Sequence, residues 1–484
     1  MSDESKEPKP FVTDVQRPAS AHHSTTPPLT THHSPLTTHP SRSAWLTLAV
    51  LFGINTMNFF DRQILPAVQE KIKDEWKLSD SQLGDLGTAF ILLYAAVGLP
   101  LGHLADVSKR KWILAIGVAV WSLLTAGSGI AWSFWALYVL RLGVGVGEAS
   151  CAPTSSSLIG DLFPPERRAR AMSLFMLGLP VGLALSNIVS GRIAKFWGWR
   201  EAFFVAGLPG LLLAVAVLFI PEPRRGAADV HLGDAGRANT LTFWAGLRRV
   251  LALPTMWLII ASGALHNFNM YALGQFLPSL LKRYHHLDID AAGDVSGLVD
   301  GCGALGMFLG GWLGDRAFRR WSSGRLLVSW VALALAVPAL LLALAAPAGQ
   351  VRLFVVWLLA ARILLFVYYG TVYATIQDII PPSLRGTAMA VYFCAMYYFG
   401  AAAGPSGTGR LSDYFARRAA EREGVEPVMN EAGHMVGPDK FLALGLHEAM
   451  YVVPIVCAVL VLVLFAASLT VTRDRERLLD KARQ

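Results

Sequence analysis

The stretch Gly102-His-Leu-Ala-Asp106-Val-Ser-Lys109-Arg110-Lys111 returns late in the chain as Gly311-Trp-Leu-Gly-Asp315-Arg316-Ala-Phe-Arg319-Arg320. Each copy closes a long apolar run, switches to Asp followed by Lys or Arg, and then opens another apolar run, which is the pattern of a turn between two membrane helices. A second pair of landmarks keeps nearly the same offset. Asp161-Leu-Phe-Pro164-Pro165, with Arg168, Ala171 and Met172, recurs as Asp378-Ile-Ile-Pro381-Pro382, with Arg385, Ala388 and Met389. The chain is thus built twice, and two parallel repeats of membrane helices place a substrate site at their interface, near the bilayer midplane.

Of the residues, 54% are hydrophobic and only 16% charged, and the mean hydropathy is +0.45. A helix needs about 20 mostly apolar residues to cross the hydrocarbon core. Such segments begin near Ala44, Leu83, Trp112, Phe134, Ala171 and Trp199, and again near Thr255, Ala291, Leu326, Leu353, Thr387 and Ala449. The expected fold is an all-α membrane protein of twelve transmembrane helices in two six-helix repeats. Residues 1–42, rich in Pro, Ser, Thr and His, read as a disordered cytoplasmic tail whose His22-His23 and His32-His33 pairs reflect composition rather than a metal site. Residues 43–220 form the first bundle, 221–253 a cytoplasmic linker, 254–475 the second bundle and 476–484 a cytoplasmic tail. Residues 409–446 read as an extracytoplasmic connection containing a short amphipathic helix from Leu411 that ends at Gly424.

The net charge of +8 would raise nucleic-acid binding in a soluble chain, but topology accounts for it here. Lys109, Arg110, Lys111, Arg167, Arg168, Arg170, Arg224, Arg225, Arg248, Arg249, Arg316, Arg319, Arg320 and Arg385 fall on connections of one parity. The positive-inside rule makes that side cytoplasmic, with both termini on it and the chain in a bacterial inner (plasma) membrane. The bias is incomplete, because Lys71, Lys73, Lys77, Lys282, Arg283, Arg417 and Arg418 fall opposite. No cleavable signal peptide is expected. Cys151, Cys302, Cys394 and Cys457 each sit in an apolar run without metal-ligand spacing and read as packing residues. No cofactor and no metal are expected.

The chemistry begins where charge interrupts the apolar runs. In the first span, Asn58-Phe-Phe-Asp61-Arg62-Gln63 places two ionisable residues at a translocon cost of roughly 2.5 to 3.5 kcal/mol each at the bilayer centre, which marks them as functional candidates facing a cavity. Adjacent helical positions diverge by about 100°, so each can serve separately. In the fourth span Arg141 and Glu148, seven residues apart, share a helix face. Their bland alternative is a structural ion pair with other helices. Gly143, Gly145 and Gly147 between them follow no strand, so they are packing glycines rather than a phosphate loop. Asp106 and Asp315 sit at helix C-termini, the unfavourable end of the dipole, and need cations such as Arg110 and Arg319. They are expected to be gating latches.

Together, the doubled turn, the twelve spans and the doubled Asp-Pro-Pro landmark resemble the major facilitator superfamily of secondary transporters. Asn58 to Gln63, Leu78-Ser-Asp80-Ser-Gln82-Leu-Gly84, Arg141 to Ser150 and Asp161 to Arg168 are similar to its Spinster family. The first turn departs from the superfamily pattern at Val107 and Lys109, the second at Phe318. The resemblance implies proton-linked transport of lysophospholipids or sphingoid lipids, with proton coupling at Asp61 and Glu148 and substrate binding at Arg62 and Arg141. The expected partners are protons, a small-molecule or lipid substrate and the bilayer itself. A second expectation is a symporter of small organic anions, in which Arg62 and Arg141 clamp a carboxylate, and a third is a non-transporting receptor. Nothing in the sequence suggests an enzyme.

Overall fold

The computed structural model describes residues 42–223, 243–380, 384–430 and 435–483. The expected tail before residue 42 and most of the linker lie outside the described residues. So does the side chain of Asp106.

In the first half, α1 (Arg42–Trp76), α2 (Asp80–Val107) and α3 (Arg110–Ser128) run unbroken. After them α4 (Phe134–Glu148) and α5 (Cys151–Leu162) meet at a two-residue break, α6 (Pro165–Met176) and α7 (Gly178–Phe196) meet at Leu177, and α8 (Trp199–Val217) completes the set. A short α9 (Phe243–Leu251) leads into α10 (Pro254–Arg283). Then come α11 (Ile289–Gly301) and α12 (Gly303–Phe318), joined at Cys302, followed by α13 (Gly324–Leu344) and α14 (Val351–Ile379). The last two rods are α15 (Arg385–Ala395), continued through a π-helical turn into α16 (Ala403–Arg422), and α17 (Asp439–Met450) with α18 (Val452–Arg483). Joined across their breaks, these helices trace six rods in each half. Among the described residues, seven stretches are long and apolar enough to cross a membrane, two of them running across the α6–α7 and α17–α18 breaks, and α10 adds an eighth when taken with α9, against which it is bent by 91°.

Local chemistry sets the ends. Ser79 caps α2 in a reciprocal capping box with Gln82, and Ser133 caps α4, satisfying backbone N–H groups that the first turn leaves orphaned. The helix expected within the polar connection begins earlier than its sequence pattern suggests. It is the continuation of the eleventh rod, α16, which ends at Arg422 just before Gly424 with φ of 67°. A small antiparallel pair, Val428–Met429 with Met435–Gly437, follows it.

Leu51, Ile54, Val118, Trp121, Phe163 and Phe175 form a core wholly inside the first half. The larger core joins α1, α7 and α8 to the second half. Outward faces stay apolar, and Trp132, Trp135, Trp197 and Phe219 are largely exposed, as suits side chains facing lipid with tryptophans near the interfaces.

Among the described residues, the hydrogen bonds between the two halves gather at one end. Among the described residues, every hydrogen bond between them comes from α1 at Arg62 or beyond, the loop after it, the first half of α2, or α7 from Asn187 onward. Backbones meet there because side chains are missing. A Cβ on Gly409 would lie 2.2 Å from the Asp80 carbonyl oxygen, and one on Gly293 2.4 Å from that of Asn187.

Candidate functional site

Above the closed end, a cavity of about 880 Å³ including its mouth lies between the halves. Arg62 and Arg141 enter its wall from the first half and Arg362 from the second, among Phe59, Phe90, Tyr271, Tyr369, Tyr373 and Tyr397. The four residues expected to carry the chemistry are brought together here. Asp61, Arg62, Arg141 and Glu148 are all buried, and no one of them exceeds 8% exposure.

Both residues of α4 find their partners on another helix, α1. Glu148 accepts from Arg62 Nε at 2.9 Å, not from Arg141, whose Nη1 donates instead to the Asp61 backbone carbonyl at 3.3 Å. Helix α4 ends at Glu148, so the carboxylate sits at a break where α1 can reach it. Asp61, turned away from Arg62, accepts from Thr125 Oγ1 at 3.3 Å. The Arg62 guanidinium packs over Phe59, Phe90 and Tyr94 at 4.6 to 4.8 Å, and its Nη1 reaches the Tyr271 hydroxyl across the seam at 3.4 Å. Gly145 permits this approach, since a Cβ there would lie 2.2 Å from the Phe90 carbonyl oxygen.

Each of the four retains unused capacity. Asp61 Oδ1, Arg62 Nη2, Arg141 Nε and Glu148 Oε1 are buried without a hydrogen-bond partner. Buried polar groups are ordinarily paired, and leaving one unpaired costs about 1 to 3 kcal/mol. The guanidiniums face the cavity while the carboxylates stand behind them, so the wall offers donors to an anion.

The second half carries a charged pair that the sequence reading did not single out. Arg362 on α14 donates to Asp300 on α11, and Asp300 Oδ2 accepts from Asn187 Nδ2 of the first half at 2.9 Å. The signal was the one that flagged Asp61: an arginine inside the apolar run Leu358-Leu-Ala-Ala-Arg362-Ile-Leu-Leu.

At the closed end lies a network around Lys73 and Arg283, which had only marked exceptions to the charge bias. Arg283 holds Glu70 (Nε to Oε2, 2.9 Å) and Asp80 (Nη1 to Oδ2, 2.8 Å). Lys73 and Ser412 also donate to Asp80, each at 2.6 Å. Asp413 accepts from the backbone N–H groups of Asp80 and Ser81 at 3.0 Å.

At the opposite end stand Arg110 and Asp315, two of the residues expected to act as latches. Arg110 is buried and donates to Asp161, to Ser157 Oγ at 2.9 Å and to the Pro223 carbonyl at 2.8 Å. Asp315 pairs with Arg325 at 2.8 Å, not with Arg319, which is exposed at the end of its helix. Arg325 also holds Asp378. Arg110–Asp161 and Arg325–Asp378 are therefore equivalent in the two repeats, each tying an Asp-Pro-Pro landmark to the start of the half's third rod. Glu222 accepts from the backbone N–H groups of Arg110 and Lys111 at 3.0 Å. Burial works to raise its pKa, but those N–H groups and the Arg110 guanidinium outweigh it and hold the carboxyl below its ordinary value.

Comparisons with known proteins agree with this architecture. The sequence pattern of the Major Facilitator Superfamily matches residues 51–405. Human protein spinster homolog 1 is 31% identical over 397 residues, covering 78% of this chain and 74% of that protein. The zebrafish sphingosine-1-phosphate transporter SPNS2 is 34% identical over 249 residues, 50% of this chain and 48% of that protein. The crystal structure of a bacterial homologue of the human lysosomal transporter Spinster, inward-facing and unoccupied, superposes with a TM-score of 0.80 at 27% identity, covering 90% of this chain and 99% of the other. The doubled Arg–Asp ties, the twelve rods and the cavity between the halves are those of a membrane transporter, and this multi-pass chain belongs to the Spinster family within the major facilitator superfamily.

Proposed function

We propose that this protein moves an anionic amphiphile, of the lysolipid or phosphorylated sphingoid class, by proton-coupled alternating access. The observation that carries the reading is the cavity wall itself: Arg62 and Arg141 present unused guanidinium donors beside an aromatic lining, with Asp61 and Glu148 buried behind them. Arginine keeps its proton at biological pH, and its planar fork fits phosphate or carboxylate. The Phe, Tyr and Leu residues around it suit an acyl or sphingoid chain. The zebrafish relative's name supplies a substrate of this chemistry, a phosphate head on a long apolar tail.

In this mechanism the headgroup draws Arg62 away from Glu148, and the released carboxylate takes a proton in place of its lost cation. Asp61, held by Thr125 and beside the Arg141 guanidinium, is the second proton site. Coupling follows because the anion that occupies Arg62 leaves Glu148 to bind a proton, so substrate and proton are taken up together. With the basic connections facing the cytoplasm, the cavity opens inward and the Glu70–Arg283 end closes the outside.

A small organic anion would use the same arginines but gain nothing from the apolar wall. Purified protein in liposomes under an imposed proton gradient separates the two. Lysophospholipids and phosphorylated sphingoid bases are expected to move and short-chain carboxylates not to. Carboxylate movement without lipid movement would establish the organic-anion reading, and neither moving would overturn transport of anions by this site.

A further inference from the structure

The three cavity arginines share a property that the arginine of the closed end lacks. Arg283 donates from Nε, Nη1 and Nη2 to carboxylates and is saturated. Arg362, only 2% exposed, gives Nη2 to Asp300, turns Nη1 to the Met270 sulfur at 3.5 Å and leaves Nε without a partner. Thioether sulfur is a weak acceptor. A buried guanidinium with one strong partner and a place in the cavity wall resembles Arg62, whose Nη2 is also unused, and not a closed structural pair.

We propose that Arg362 is the second half's side of the substrate site: it takes the same anionic headgroup as Arg62 and Arg141, and Asp300 is the internal anion that occupies it until substrate arrives. The inference rests on the anion-binding reading above and adds the half of the site that the first bundle does not contain. Asp300 is suited to this exchange because Oδ2 is held at 2.9 Å by Asn187 from the other half. When Arg362 turns to substrate, Asn187 keeps the carboxylate in place, which makes Asn187 a positioning residue. A headgroup bound by arginines on both halves also bridges them, so substrate itself draws the two sides of the open cavity together.

The test uses the full-length purified protein and two probes of equal chain length, lysophosphatidic acid and the uncharged monoacylglycerol. Hydrogen bonds to charged groups are strong enough that Arg362→Gln is expected to weaken the phosphate probe by about ten- to a hundredfold and the neutral probe hardly at all. Arg362→Lys should recover part of the loss. Asp300→Asn, which frees Arg362, should tighten the phosphate probe. The double variant Arg362→Gln/Asp300→Asn removes both charges and leaves no orphan, so it reports even where a single variant fails to fold, and it should retain neutral-probe binding with the phosphate preference reduced. A folded single or double variant with wild-type preference for the phosphate probe would make Asp300–Arg362 a packing pair. Absence of that preference in the wild type would instead overturn the anionic-substrate reading from which this one starts.

Discussion

Arg283 reaches from the end of α10 to Glu70 on α1, joining the two halves through Nε at 2.9 Å while Nη1 holds Asp80. This contact exists only while that end is shut, since the partners belong to different bundles. Removing one member of a buried pair costs about 3 to 5 kcal/mol because a charge is left uncompensated. Arg283→Gln is therefore expected to shift the population toward the state open at this end. Cysteine reporters on the cavity wall, in a background lacking the four native cysteines, should gain reactivity to a membrane-impermeant reagent applied from that side. Unchanged labelling would show that the network does not seal the cavity.

Proton coupling gives a second expectation. Asp61→Asn keeps the shape of the site and removes a titrating group, so substrate binding should persist while gradient-driven transport falls to background in liposomes. Glu148→Gln weakens the hold on Arg62 and should tighten an anionic probe several-fold, a change read by direct binding. Loss of both binding and transport in Asp61→Asn would assign that carboxylate to structure instead.

The Glu222 tie responds to acid with a definite sign. Its folded pKa lies below the ordinary carboxylate value of 4.5, so its stabilising contribution is complete above that value and is lost as pH falls through the depressed one. The melting temperature of the wild type should exceed that of Glu222→Gln at neutral pH, and the difference should shrink as the pH is taken below about 4.5, the region set by the linkage. A constant difference across the range would separate Glu222 from any role in pH-dependent stability.

Close backbone approach at the seam predicts a steric wedge. A methyl on Gly409 meets the Asp80 carbonyl and one on Gly293 meets that of Asn187, so Gly409→Ala and Gly293→Ala should each favour separation of the closed end. The same labelling assay reads this out. Gly349→Ala would be a poor control because of its positive φ, whereas Gly160→Ala, where a Cβ meets nothing within 4 Å, should leave the balance unchanged.

Much of the architecture was written in local pattern. Apolar length shows the rods, and the Asp-to-basic turns show that there are two sets, because both are properties of contiguous residues. Pairing was less legible. Arg141 and Glu148 do share a face of one helix, but the break after Glu148 and the arrival of Arg62 from α1 decide whose carboxylate it is, and neither follows from spacing. Arg316, Arg319 and Arg320 all stand nearer to Asp315 in sequence, yet Arg325 of the next rod holds it. Arg362 and Asp300 carried the same intramembrane signal as Asp61 and were legible but passed over. Glu70, Asp80 and Arg283 were not, since near helix ends they read as ordinary interfacial charges until the halves are set side by side.

The balance of charge around the cavity bears on electrical behaviour. Arg62, Arg141 and Arg362 face Asp61, Glu148 and Asp300, three cations against three anions when every carboxyl is ionised. An empty carrier in that state reorients with no net charge in its centre, so the membrane voltage, worth about 2.3 kcal/mol per elementary charge at 100 mV, does not bias it. Loading changes this. Under the proposed proton-coupled mechanism, one proton taken up with a monoanion leaves the centre neutral, while one proton with a dianionic phosphate leaves a single negative charge to cross the field. The ionisation state of the cargo therefore decides whether transport generates current, and a voltage-clamped bilayer would distinguish a singly charged headgroup from a doubly charged one.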